Sequence, residues 1–172
     1  MCEEPALCRP DRLCMDGLVG IEQMTIGLPL TLPTCRTTRD DRPSFDDGPP
    51  RIWELEGVTR AACVHFPATA TPATPRPLVV YLHGAGGSAS AVYDQTLLRQ
   101  KSDIVDLAGD GIQGFVLAAH QGRNMESPNG NPASSRHDVF YRRFEGGVEN
   151  DDARSLDRLI DDLVATGSVD PS

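Results

Sequence analysis

A continuous apolar run, Leu78 to Leu82, leads without a break into His83-Gly84-Ala85-Gly86-Gly87-Ser88, and this junction constrains the fold more than any other stretch of the chain. A short apolar run bounded by turn residues reads as a strand buried on both faces. Glycines directly after it let the backbone bend sharply and turn its N–H groups outward as donors. A weakly periodic helical region follows from about Ala91 to Ala108, broken near Lys101 and closed by Gly109 and Gly111, and Gly114 to Ala119 reads as a second buried strand. Strand, helix and strand in that order predict parallel pairing, because the crossover brings the chain back to the same end of the sheet. The fold class predicted is α/β with a parallel sheet core.

Upstream, Arg51 to Glu56 and Val58 to Phe66 read as two strands, the second alternating around Cys63 and His65 until Pro67 stops it. They suit an antiparallel edge of the same sheet. Residues 1–50 hold seven prolines and no sustained hydrophobic period, so they read as an irregular Cys- and Pro-rich leader or linker ahead of a domain over 51–172. Downstream, His120 to Glu149 is a polar loop longer than the roughly dozen residues of ordinary connections. Asn150 then caps a helix with Asp151 and Asp152 in its first turn and Ala153, Leu156, Leu159, Ile160, Leu163 and Val164 on one face. The opposite face carries Arg154, Asp157, Arg158, Asp161 and Asp162, where Arg158 and Asp162 are spaced to pair. The acidic pair reads as helix-start chemistry rather than as catalysis.

A chain of 172 residues suits one domain, and with aromatics at 5% its core must be built from Leu, Val, Ile and Ala. The net charge of -9 argues against nucleic acid as a partner, because phosphate contacts need clustered Lys and Arg; the charge itself reads as solubility. No apolar run approaches the roughly 20 residues that cross a bilayer, and Met1 is followed by Cys2, Glu3 and Glu4, so neither a membrane span nor a signal peptide is read. The cysteines point to an oxidising compartment. Cys2, Cys8 and Cys14 recur at equal spacing, followed by Cys35 and Cys63, as in a disulfide framework on a thinly cored segment. Secretion or a cell-envelope location is the expectation, with the true start upstream of Met1; reduced cytosolic thiols are the alternative. Five is odd, which leaves one thiol free or paired elsewhere. No C-x-x-C or nearby His completes a zinc set, so no metal is predicted.

Three chemistries can use the loop at 83–87. One is an oxyanion hole, in which a backbone N–H, here that of Ala85 with Gly84 and Gly86 making the turn, meets the charge developing on a carbonyl oxygen. A second is a dinucleotide loop, since Gly84 to Ala89 formally matches G-x-G-x-x-A after a strand; yet the next strand ends in Ala119, His120 and Gln121, without the acid that holds a ribose. The third is a tight strand-to-helix turn with no ligand.

From Trp53 to Ser172 the order of elements and the local wording resemble the catalytic domain of the polyhydroxybutyrate depolymerase and feruloyl esterase-like α/β-hydrolases. "PLVVYLHGAGGSAS" resembles their oxyanion strand and loop, "GFVLAAHQG" their next strand, and "DDARSLDRLIDDLV" followed by "VDPS" the helix and turn leading to the nucleophile strand. The resemblance implies a three-layer αβα hydrolase fold of which this chain is the N-terminal half. It implies cleavage of a carboxylic ester through an acyl-serine, without a cofactor, and an oxyanion loop at His83, Gly84, Ala85, Gly86 and Gly87. It places the G-x-S-x-G serine and the triad Asp and His beyond Ser172, so that no catalytic residue is present and the chain alone is inactive. Gly87-Ser88-Ala89-Ser90-Ala91 ends in Ala and lies too near the oxyanion loop to replace the serine elbow. A triad His follows the nucleophile in this fold, so His65, His83, His120 and His137 receive no catalytic role. The expected partners are an ester substrate and a C-terminal half or partner chain that completes the sheet. A non-catalytic secreted binding protein that keeps part of the fold is the alternative.

Overall fold

The computed structural model describes residues 30–125, 134–137 and 150–171. Four strands form a mixed sheet in the order β1-β2-β4-β3. The first two, β1 (Arg51–Leu55) and β2 (Val58–His65), are an antiparallel hairpin closed by Glu56 and Gly57. Both turn residues have positive φ, 50° and 78°, the type I′ geometry whose twist matches that of paired strands. After the connection at 68–77 come β3 (Leu78–Leu82) and then β4 (Val116–His120), paired in parallel with Leu82 opposite His120. β4 also pairs antiparallel with β2. The sheet is therefore α/β in class and mixed in direction, with the antiparallel hairpin at one side as the sequence predicts.

Burial differs between the two parallel strands. Every residue of β4 is buried, whereas β3 is half-buried and Leu82 is 47% exposed. The apolar run at 78–82 was expected to be buried on both faces; it lies at the edge of the described sheet, and β4 holds the central place. The helical region between them is also shorter than its pattern suggests. It forms two single turns, α1 (Ala91–Asp94) and α2 (Leu98–Lys101). Thr96 separates them: its hydroxyl donates to the Val92 carbonyl and accepts from the Leu98 N–H, a local bond that competes with the helix ladder.

Strand alternation sends side chains to two faces. On one face Cys63, Leu117 and Ala119 pack with Cys35, Ala89, Val92, Tyr93 and Phe115. On the other, Ala62, Val116 and Ala118 pack with Val169 and with Leu159 and Leu163 of α3 (Asp151–Val164). Helices thus cover both faces. The Asn150 side chain accepts from the N–H groups of Asp152 and Ala153, the predicted cap. Arg158 also meets Asp162 as predicted. The buried stripe of α3 is Asp152, Ser155, Leu159 and Leu163, while Ala153, expected on that face, is exposed. The helix is rotated toward its polar first turn because Asp152 pairs with buried Arg60 of β2 and Ser155 bonds to His120 of β4.

The part of the leader that is described, residues 30–50, is packed onto the sheet. A disulfide joins Cys35 to Cys63, and backbone bonds from Thr37 N–H to the Phe45 carbonyl and from Asp47 N–H to the Cys35 carbonyl fold the segment back on itself. Cys2, Cys8 and Cys14 lie outside the described residues. Within the span read as a polar loop, β5 (Arg123–Met125) and β6 (Ser134–Arg136) pair antiparallel; the rest of that span up to Glu149 lies outside the described residues apart from 120–122 and His137. At the outer edge of β3 the chain returns in parallel: Arg76 N–H donates to the Ser168 carbonyl at 2.9 Å, and Asp170 N–H to the Arg76 carbonyl at 3.0 Å. Among the described residues no helix is long and apolar enough to cross a membrane.

Candidate functional site

The loop at 83–87 sits at the C-terminal end of β3, beside the end of its parallel neighbour β4, where loops from adjacent strands converge in open α/β sheets. Gly87 N–H donates to the Gly84 carbonyl at 3.0 Å, closing a tight turn. Gly86 has a φ of 76°, which side chains rarely adopt, and a Cβ on Gly87 would meet the Gly84 carbonyl oxygen at 3.0 Å and the His83 ring at 3.2 Å. The backbone favours glycine at Gly86, and a side chain at Gly87 would crowd the Gly84 carbonyl and the His83 ring. Gly86 N–H is held by the Ser135 carbonyl of β6 at 2.7 Å, so the hairpin β5–β6 braces the loop. Gly84, Ala85 and Gly86 are exposed, and among the described residues no acceptor meets the Ala85 N–H. Geometrically, Ala85 presents a backbone donor that an anionic oxygen could use.

Three of the four histidines gather beneath this loop. The rings of His83 and His137 lie 4.7 Å apart and those of His137 and His120 5.2 Å apart, with Trp53 5.9 Å from His120. Backbone groups fix where the protons sit. Gly122 N–H points at His83 Nε2 at 2.9 Å, so Nε2 accepts and Nδ1 donates to the Gly84 carbonyl at 2.8 Å. His137 Nδ1 faces the His83 carbonyl at 3.3 Å, which leaves its Nε2 to accept from His120 Nδ1 at 3.1 Å. His120 Nε2 is then the acceptor for the Ser155 hydroxyl at 2.9 Å. Burial first, and then the nearby His137, push His120 down to about 4. Burial also lowers His137, helped by the adjacent His83. These rings are neutral near pH 7.

Ser155, His120 and His137 therefore stand in the hydrogen-bond order of a serine triad: hydroxyl to imidazole, imidazole to a third group. Ser155 and His120 each have 0% exposure, so no acyl group can reach the hydroxyl. The arrangement ties α3 to the end of β4 instead. Beside it, Arg60 and Asp152 form a buried ion pair at 2.5 Å, and Arg123 of β5 reaches Asp151 at 3.3 Å. Asp152 thus has a structural partner, in keeping with its reading as helix-start chemistry.

His65, the fourth histidine, is on the opposite face, between Asp47 and Asp103. Among the described residues no group of three or more His, Cys, Asp or Glu is arranged to hold a metal ion. The G-x-G-x-x-A match runs into α1, a single turn, and β4 ends at His120 with Gln121 following. Sequence reasoning located the loop but not the convergence of His83, His120, His137 and Ser155. Part of it was legible, since His83 and His120 sit at the ends of adjacent parallel strands; His137 and Ser155 come from distant segments. No protein-family model matches the chain, and no curated protein or solved structure matches it.

Proposed function

We propose that the chain is the oxyanion side of a serine-dependent carboxylic ester hydrolase, of the polyester depolymerase or feruloyl and acyl esterase type. The observation that carries the reading is the parallel return of the chain at the outer edge of β3, through Arg76, Ser168 and Asp170. A strand continuing in that direction would run alongside β3 and end next to exposed Ala85, whose N–H meets no acceptor among the described residues. Such a strand is where the resemblance puts the G-x-S-x-G serine, with the triad Asp and His further on. In that chemistry the serine oxygen attacks the ester carbonyl, the C–O bond to the alcohol breaks as His returns the proton, and water then releases the acid. The Ala85 N–H would stabilise the tetrahedral oxyanion, a contribution of roughly 3 to 4 kcal/mol per donor. The Cys35–Cys63 disulfide supports a secreted or cell-envelope location.

The test is hydrolysis of a p-nitrophenyl acyl ester by two proteins: the 172-residue chain and the product of the reading frame continued past Ser172. The expectation is no turnover by the first and fluorophosphonate-sensitive turnover by the second. Serine-type turnover from the 172 residues alone, or no G-x-S-x-G in any forward frame, overturns the reading.

A further inference from the structure

We propose that Gln121 is a positioning residue for the 84–87 turn, setting the direction in which Ala85 presents its N–H; the catalytic consequence rests on the esterase reading above. Gln121 follows β4 directly and is 1% exposed. Its Oε1 accepts from the Ala89 N–H and from the Ser88 hydroxyl, each at 3.0 Å. The Ala89 N–H can only donate, which fixes the oxygen end of the amide toward residues 88 and 89. The nitrogen end then donates to the Ser135 hydroxyl at 2.5 Å and to the Gly122 carbonyl at 3.2 Å. Two acceptor and two donor positions are thereby all engaged, the full capacity of a carboxamide.

These bonds bracket the turn. Its exit, Ser88 and Ala89, is held by Gln121 Oε1. Its middle, Gly86, is held by the carbonyl of Ser135, the residue whose hydroxyl receives Gln121 Nε2. Its entry, His83, is held by the N–H of Gly122, whose carbonyl accepts from both Gln121 and Ser135. Gly122 permits the close approach, since a Cβ there would lie 2.5 Å from the backbone of Arg136. One neutral side chain joins β4, the loop exit and β6, and its amide offers two donors and two acceptor positions without a buried charge. Leucine would remove all four bonds. Glutamate would keep the acceptor end and set an oxygen against the Gly122 carbonyl.

Two variants, Gln121→Leu and Gln121→Glu, are compared with the parent by amide hydrogen exchange on the 172-residue chain and by kcat and KM on the continued reading frame. In Q121L both Ala89 and Gly86 amides should exchange about tenfold faster or more, while Leu163 of α3 does not change. In Q121E the two should separate, Ala89 staying protected and Gly86 opening. On the active protein kcat should fall about 10- to 100-fold with KM little changed, because a displacement of about 1 Å in an oxyanion donor acts on the transition state. Unchanged exchange at Gly86 and Ala89 in Q121L, or in Q121E should Q121L not fold, overturns the proposal. So does unaltered kcat in a variant of an active parent. A parent that hydrolyses no ester counts against the esterase reading, and the exchange measurement then decides whether Gln121 sets the turn.

Discussion

The two faces of the sheet treat their polar groups in opposite ways. On the α1 and α2 face, Asp47 takes hydrogen bonds from Arg99 Nε, Arg99 Nη2 and the Tyr93 hydroxyl, and lies 3.2 Å from His65 Nδ1; Arg99 Nη1 and His65 Nε2 reach Asp103 at 2.6 and 2.7 Å. Burial works against the Asp47 charge, but the bonds from His65, Arg99 and Tyr93 outweigh it and hold the carboxyl down to about 2. Tyr93 is raised, first by burial and then by the Asp47 carboxylate. On the α3 face His120 and His137 are kept neutral by the same burial, because each faces another imidazole rather than an acid directly. The arithmetic of β2 explains the division. Arg60, Ala62 and Val64 point to α3, and Ala61, Cys63 and His65 point away from it. One face is thus clamped by charge and a covalent bond, the other by a neutral chain beside the buried Arg60–Asp152 pair, with Arg123 3.5 Å from the same carboxylate, and the loop at 83–87 meets this second face through the rings of His83 and His137.

The largest expected effect comes from that ion pair. Asp152→Ala leaves Arg60 buried without its carboxylate, which should cost about 3 to 5 kcal/mol in urea unfolding. The double change Arg60→Met with Asp152→Leu should recover most of the loss, since an apolar pair of similar size carries no desolvation penalty. A double variant no more stable than Asp152→Ala would mean that the charges themselves, rather than the orphaned arginine, hold this face.

The opposite face is broken by Cys35→Ser with Cys63→Ser. Closing a loop across 28 positions restricts the unfolded chain by an amount worth about 3 to 4 kcal/mol. The denaturation midpoint should fall accordingly, and reductant should lower the parent to the same value while leaving the variant unmoved. Amide protection should be lost first over residues 34–47, where the Asp47 cluster loses its tether, and last at His120. Equal loss on both faces would show that the leader segment is integral to the whole sheet rather than stapled to one side.

Acid should separate the faces in order. His120 titrates near 4 in the fold against about 6.5 unfolded, so the unfolded chain binds the extra proton first. Its contribution is complete above pH 6.5 and is lost as pH falls through about 4, roughly 3 kcal/mol in all, with His137 adding in the same direction. Asp152 and Arg60 act on His120 in opposite senses, the first raising and the second lowering it. Asp47 is ionised in both states above about 4, and its contribution fades only toward pH 2. The thermal midpoint should therefore drop between pH 6.5 and 4 with the histidine side opening first. His120→Gln should flatten that slope, and an unchanged slope would assign the acid sensitivity elsewhere.

What the sequence revealed follows the range of the interactions. The strands β1 and β2, the β3–loop–β4 unit and α3 were legible because each is written in local pattern: alternation around Cys63 and His65 stopped by Pro67, Leu78 to Leu82 before glycines, Asn150 before an apolar stripe. The packed part of the leader was not, because Asp47 finds Arg99 52 positions away and proline-rich composition hides a segment held by single long-range contacts. Ser-Ser-Arg at β6 and Arg-Asn-Met at β5 carry no strand period; they pair because Gly122 lets their backbones close up. The rotation of α3 toward Asp152 and Ser155 was hidden for a related reason, since hydrophobicity counted Ala153 as inward and could not see Arg60 and His120 waiting on the sheet.

The smallest change tests whether that polar first turn is the hinge between α3 and the histidine chain. Asn150→Ala removes the acceptor for the Asp152 and Ala153 N–H groups and should cost about 1 kcal/mol. The loss should not spread evenly. The cap holds the turn that carries Asp152 and Ser155, and those two side chains join the helix to Arg60 and His120. Fraying there should speed amide exchange at Arg154 and Ser155 and raise the apparent pKa of His120, which would gain water as the helix start loosens. Leu163, thirteen positions from the cap and fully buried, should keep its protection, as should the Asp47 cluster on the other face. A uniform drop in protection along α3 would show that the helix docks as one rigid unit, its apolar stripe and not its capped end setting the position of the histidines.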